Sequence, residues 1–172
     1  MARLPDVTAD DDIAGRIRAR RGGELRPLDR MLLHSPPVAD GWNQLMGAIR
    51  GQTTVPAGLR ELVILRIAVL NDAPYEWDSH QEPARRAGLT GQQLAAIRAA
   101  EPGAPLTDLQ QLVIAGTDAM TRGVRLPEPL FDRLRGHLSD RQVFELVTTV
   151  AAYNMVSRLV VALDISSPAA GA

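Results

Sequence analysis

The chain has 172 residues, 45% hydrophobic and 23% charged, with a formal net charge of −1, which fits one soluble globular domain with a real core. It has no cysteine, and its 19 basic residues are all arginine. Disulfides, thiol nucleophiles, iron–sulfur clusters, cysteine-ligated zinc, Schiff-base lysines and P-loop phosphate binding are therefore excluded, and with no basic stripe carrying interleaved aromatics, nucleic acid is not an expected partner.

Residues 1–26 are polar and charged, with Arg16, Arg18, Arg20 and Arg21 in a short run. They read as a loosely ordered arm or one exposed helix. The acidic N-terminus lacks an apolar signal core, and no uncharged apolar run reaches about 18 residues, so neither secretion nor a membrane span is expected and a cytoplasmic location follows by default. A helical domain is expected over 27–165 and a flexible tail over 166–172. Leu28 to Leu33 forms a short apolar helix that ends at the corner His34-Ser35-Pro36-Pro37. Val38 to Ile49 reads as a helix with Leu45, Met46 and Ile49 inward, and Gly51 stops it.

Ala57 to Leu70 follows, capped by Thr53 or Thr54 with Pro56 in its first turn. This helix is apolar nearly all round, which predicts burial. It nonetheless carries Glu61, and a buried carboxylate needs a partner or a shifted pKa. After the break at Asn71-Asp72-Ala73, a second helix starts at Pro74 and runs to Gly88. Glu76 and His80 lie four apart on it and share a face, which continues into Ala84 and Ala87. Pro83 would remove the bond to the Ser79 carbonyl, so a kink or break is expected just after His80.

Three capping boxes set the remaining helices: Thr90 with Gln93, Thr107 with Gln110, and Ser139 with Gln142. They open helices reaching Ala99, about Thr121, and Leu163. A loop over 101–105 separates the first two, and Pro127 starts a short helix to about Leu138. Asp140 to Leu163 is the longest element and apolar on most faces, so it is either central to the fold or buried between subunits. No stretch alternates with period two, which predicts an all-α domain of seven or eight helices.

The stretch Arg60-Glu61-Leu62, then Tyr75-Glu76-Trp77 and His80, with the late stretch Tyr153-Asn154-Met155-Val156-Ser157-Arg158, resembles the carboxymuconolactone decarboxylase and alkylhydroperoxidase D-like superfamily. The resemblance implies an all-helical bundle and a homo-oligomer, a trimer, a hexamer or a dimer-based assembly. It implies cofactor-independent decarboxylation of a small lactone or related acid, with isomerisation or cyclisation of a specialised metabolite as the alternatives, and Glu61 matches a proton-relay glutamate. The peroxidase branch carries Cys-x-x-Cys-x-x-x-His. Ala73, Glu76 and His80 stand at the matching positions here, so thiol peroxidase chemistry is not expected.

Glu61, Glu76 and His80 are accordingly the candidate catalytic residues, as two carboxylates and an imidazole converging in a helical core can move protons. For Glu61 the competing role is a salt bridge to an arginine such as Arg60 or Arg66. Tyr75, Trp77, Asn154 and Arg158 are the candidate substrate-binding residues. Packing is the competing role for the two aromatics, as it is for Trp42 and Tyr153. Arg158, inside an apolar helix, could bind a substrate carboxylate in bidentate fashion or pair with Glu61 or Glu145. His34 and His137 read as non-catalytic. A metal site built from the same trio is the weaker expectation, because helical di-iron sites use Glu-x-x-His pairs duplicated on other helices, whereas here the spacing is four and no second histidine lies on a matching helix. A non-catalytic oligomeric partner protein is the remaining alternative. No cofactor is expected.

Overall fold

The computed structural model describes residues 2–8, 12–99 and 105–167. The loop expected over 101–105 and the tail expected over 166–172 fall mostly outside them. The described residues form nine α-helices and no strand: α1 (Asp12–Arg21), α2 (Pro27–Leu32), α3 (Pro36–Gly51), α4 (Ala57–Leu70), α5 (Pro74–Arg86), α6 (Gly91–Arg98), α7 (Asp108–Gly123), α8 (Glu128–Arg135) and α9 (Asp140–Ala162). They gather into two compact units, one of residues 1–53 with 160–172 and one of residues 54–159.

In the first unit α1 and α2 both pack on α3. α1 is the helix beyond the seven or eight expected. Its composition is polar, but Ala14 and Ile17, three apart, are buried, and two small apolar positions on one face are too weak a periodic signal to read from sequence. Charge fixes it further. Arg16 donates to Asp40 at 2.7 Å, and Arg21 donates to Asp29 at 2.9 Å. Asp29 is fully buried, and it also accepts the Arg26 backbone N–H at 3.0 Å, closing the N-terminus of α2.

The second unit is built on α4, which packs against α5, α6 and α7. Every residue from Glu61 to Ala68 is buried, as the all-round apolar pattern requires. The turn into α5 takes three residues. Asp72 adopts φ +48°. The Ala73 N–H bonds the Ala68 carbonyl at 2.8 Å and the Asp72 N–H points to the Val69 carbonyl at 3.4 Å, a Schellman closure that uses two end carbonyls of α4. Pro74 then occupies the first turn of α5, where it forfeits no helical bond. Near the far end of the pair, a Cβ on Gly58 would stand 3.2 Å from the Ala87 carbonyl, so the glycine permits the close approach of α4 to the end of α5.

α5 is continuous through Pro83, so of the kink or break expected just after His80 the break does not occur. Pro83 sits in the last turn, so a single carbonyl loses its donor there. Gly88, at φ +94°, is the true stop, with the Leu89 N–H bonded to the Ala84 carbonyl at 3.0 Å. All three capping boxes form as the sequence predicts. Two of them are joined, because the Gln93 amide donates to Gln110 at 3.1 Å.

One arginine ties this unit together. Arg66 of α4 is 1% exposed. Its Nε and Nη2 donate to the two Asp118 oxygens of α7, each at 2.6 Å, and its Nη1 donates to the Ile97 and Ala99 carbonyls at 2.8 and 2.7 Å. Helix α9 is anchored at both ends of α4. Near its start, Glu145 accepts the Thr54 backbone N–H and hydroxyl at 2.6 and 2.8 Å. Further on, Asn71 donates to Asn154 at 3.1 Å and to Ser157 at 2.7 Å. α9 has the length and apolarity of a bilayer-crossing helix, but 61% of that stretch is buried within the fold, as suits a core helix.

Candidate active site

Glu61 of α4 and Glu76 and His80 of α5 meet inside the second unit. They are 6%, 3% and 9% exposed. The Schellman turn and Gly58 hold α4 and α5 face to face, and the four-residue spacing in α5 stacks Glu76 under His80. His80 Nδ1 lies 2.7 Å from Glu61 Oε2, and His80 Nε2 lies 3.6 Å from Glu76 Oε2. The first contact is a short, charge-assisted hydrogen bond in which Nδ1–H donates to the carboxylate. The second is an ion-pair distance, longer than a hydrogen bond. Each ring nitrogen is thus addressed by its own carboxylate. Arg60 Nε stands 3.8 Å from the other oxygen of Glu61.

Tyr153 of α9 completes the group. Its ring meets the imidazole edge to face, with centroids 5.4 Å apart and planes at 88°. It is almost fully buried. The sequence reading assigned it to packing, and its place against His80 follows only from how α9 crosses the α4–α5 pair. Among the described residues no group of three or more His, Asp or Glu is arranged to hold a metal ion, since Glu61 and Glu76 approach opposite nitrogens of one ring and do not share a focus.

Tyr75 and Trp77 are both buried. Trp77 lies beneath the Arg98 guanidinium, which sits 4.0 Å from its ring centroid, a cation–π contact. The same two residues line a half-open cavity of about 360 Å³ with Ala68, Asp72, Ala73 and Asp78. Pro74 and Trp77, which line it, lie in the first turn of α5 with Glu76, which does not. The Asn154 amide is occupied: it donates to Thr121 and to the Val150 carbonyl, both at 3.0 Å, and accepts from Asn71. Arg158 is exposed, and no hydrogen bond or ion pair joins it to the trio. Arg66, weighed as a partner for Glu61, is committed to Asp118. Asn71 and Arg98 were not singled out from sequence. No spacing rule marks a residue in a turn, or one at a helix end, as a neighbour of a distant helix.

The nine helices of the described residues have an AhpD-like fold, and α4 and α5 bring a carboxylate–imidazole–carboxylate array together inside the second unit. The carboxymuconolactone decarboxylase family model matches residues 36–105, and the fold is shared with AhpD-like proteins. Among curated proteins it is similar to the uncharacterized protein YdfG of Bacillus subtilis (strain 168), at 24% identity over 114 residues, 65% of this chain and 78% of YdfG. Among solved structures it is similar to the AhpD core of a peroxidase-related protein from Ralstonia eutropha JMP134. That likeness has a TM-score of 0.85 and 16% identity, and covers 98% of this chain and 93% of the other. It is also similar to the debrominase Bmp8 in complex with 2,3,4-tribromopyrrole, with a TM-score of 0.77 and 14% identity over 98% of this chain and 95% of the other. At such identities the structural likenesses establish the fold alone.

Proposed function

We propose that this chain is a cofactor-independent acid/base enzyme, a decarboxylase or isomerase of a small lactone or related carboxylic acid, with His80 as its proton donor and acceptor. The observation that carries this reading is the 2.7 Å bond from His80 Nδ1 to Glu61 with Glu76 at Nε2. Glu61 fixes the tautomer and orientation of the ring, which leaves Nε2 as the nitrogen that exchanges a proton. Glu76 is placed to pass a proton to or from it.

In a decarboxylation the carbon–carbon bond to the carboxylate breaks and carbon dioxide leaves. The electron pair moves into the neighbouring carbonyl as an enolate, and the carbon then takes a proton from His80 Nε2. In an isomerisation His80 removes a proton from one carbon and returns it to another through the same enolate. The cavity beside Trp77 is the proposed entrance, with the Arg98 guanidinium at its edge for the substrate carboxylate, and it reaches α5 at Pro74, Trp77 and Asp78, not at Glu76 or His80. Its volume suits a small molecule.

The test is proton NMR in deuterated water with a panel of small unsaturated lactone acids and 3-oxo acids. Decarboxylation gives loss of the carboxylate with one solvent deuteron in the product. Isomerisation gives deuterium incorporation with all carbons retained. His80→Gln should abolish either, and a His80→Gln variant with undiminished turnover overturns the assignment. A second reading, a non-catalytic protein whose trio is a buried structural network, is supported by one observation. None of Glu61, Glu76 and His80 lines the cavity beside Trp77, the cavity between Val113 and Val150, or the groove at Phe131 and Phe144. An inert panel, together with a large loss of stability in His80→Gln, would favour it.

A further inference from the structure

The first unit gathers arginines where α1, α2 and α3 meet. Arg16 takes both Asp12 and Asp40, while Arg20 and Arg21 share a single carboxylate, Asp29. Asp29 Oδ1 accepts from Arg21 Nη2 at 2.9 Å and stands 3.8 Å from Arg20 Nη2. Its Oδ2 is taken by the Arg26 backbone N–H at 3.0 Å. One fully buried negative charge therefore stands among crowded cations. The Arg20 guanidinium is lowered to about 10 from 12.5: burial lowers it most, repulsion from Arg21 and Arg50 comes next, Asp29 opposes, and Arg26 adds to the repulsion. It stays charged at neutral pH, so loss of a proton does not relieve the crowding.

A second observation concerns Arg21. Its side chain is 10% exposed, and its Nε is buried with no hydrogen-bond partner. A buried N–H without an acceptor is costly, and such a group in a folded protein marks a place for an ordered water or an ion. Arg20 is held beside it. Its Nε donates to Asn43, and a Cβ on Gly47 would stand 3.6 Å from its Cδ, so the glycine leaves room for the arginine stem along α3. Its side chain is 22% exposed, which leaves one approach open to solvent.

We propose that the junction of α1, α2 and α3 is a binding site for a phosphate group, held by Arg20 and Arg21 with Arg26 at its rim. Three guanidinium groups against one carboxylate leave two positive charges, which a phosphate dianion matches and a single carboxylate does not. The planar guanidinium forks suit paired phosphate oxygens. Arg50 contributes to the same positive field, which draws anions to the junction. The site shares no residue with Glu61, Glu76 and His80, and it is independent of the chemistry proposed for them.

The experiment is thermal unfolding of the full chain at pH 7.5, followed by circular dichroism, in sodium phosphate and in sodium chloride at equal ionic strength. Phosphate at about 10 mM should raise the melting temperature by about 2–4 °C over chloride, as a dissociation constant of about 2 mM requires. Arg20→Gln and Arg26→Gln should each weaken phosphate binding by roughly tenfold, which cuts the rise to under about 1 °C. The Arg26 side chain is exposed, so this variant reports even if Arg20→Gln fails to fold. Arg135→Gln makes the same change of charge in the second unit, at a side chain that is 53% exposed, and should keep the full rise. Glycerol phosphate, titrated in parallel by calorimetry, separates the sources. Tighter binding than inorganic phosphate assigns the site to an organic phosphate monoester, weaker binding assigns it to free phosphate, and either upholds it. Equal melting in phosphate and chloride overturns the proposal. So does a full rise in both Arg20→Gln and Arg26→Gln, or an equal loss in Arg135→Gln.

Discussion

Replacing Asp118 by alanine tests the clamp that holds the site helix. Arg66 spends all three guanidinium nitrogens: two on Asp118 at 2.6 Å each and one on the carbonyls of Ile97 and Ala99. Asp118→Ala removes both carboxylate bonds and leaves a guanidinium that is 1% exposed. Charge-assisted bonds are worth about 1.5–3 kcal/mol each, and breaking one side of a buried pair costs about 3–5 kcal/mol. Two circumstances favour the lower end. The Asp118 side chain is 17% exposed, so water can enter, and the two carbonyls still hold Nη1. A loss of about 3 kcal/mol in a chain of this size corresponds to a melting temperature lower by about 6–12 °C. Thermal unfolding followed by circular dichroism at pH 7 measures it. Arg66→Met with Asp118→Leu removes both charges together, and should recover most of the loss, since an apolar pair of similar volume replaces a buried ion pair at little cost. A melting temperature for Asp118→Ala within about 2 °C of wild type, in the same assay, would refute the reasoning.

Four further outcomes follow from the same structure. On a substrate that turns over, His80→Ala should lower kcat by roughly 100-fold, and Glu61→Gln combined with Glu76→Gln should cost less than the sum of the single changes if the three groups act together. Arg98→Ala should raise KM more than it lowers kcat, because it removes a binding contact made before the chemistry. Glu145 is held at a pKa of about 2 against a usual 4.5: burial alone would raise it, but hydrogen bonds from Arg141 and Thr54 outweigh burial and lower it. Its contribution to stability is therefore complete above the unfolded value and is lost as pH falls towards 2, so the denaturant midpoint of Glu145→Gln should decline less than that of wild type between pH 5 and pH 2. Asn154→Ala should cost about 1–3 kcal/mol in the same measurement, since it removes the bond to the Thr121 hydroxyl and leaves Asn71 with Ser157 alone.

Much of this protein is legible in the chain itself. Burial of the run from Glu61 to Ala68 follows from an apolar pattern with no polar face, and the three capping boxes follow from hydroxyl–glutamine pairs three apart. Both signals are local, and local rules of hydrogen bonding and periodicity settle them. The stacking of Glu76 under His80 is equally local, because helix geometry sets it. The partnership of Glu61 with Nδ1 is a step beyond: the sequence placed a carboxylate in a buried helix, but Arg60, Arg66 and His80 were all open to it. The fold decided by giving Arg66 to Asp118, 52 residues away in sequence, which left Glu61 to the imidazole. The edge of Tyr153 on His80, the occupied amide of Asn154 and the exposure of Arg158 were likewise settled by the rotation of α9 about its own axis. In a helix apolar on most faces, the sequence does not say which side turns inward; packing against α4 and α5 does.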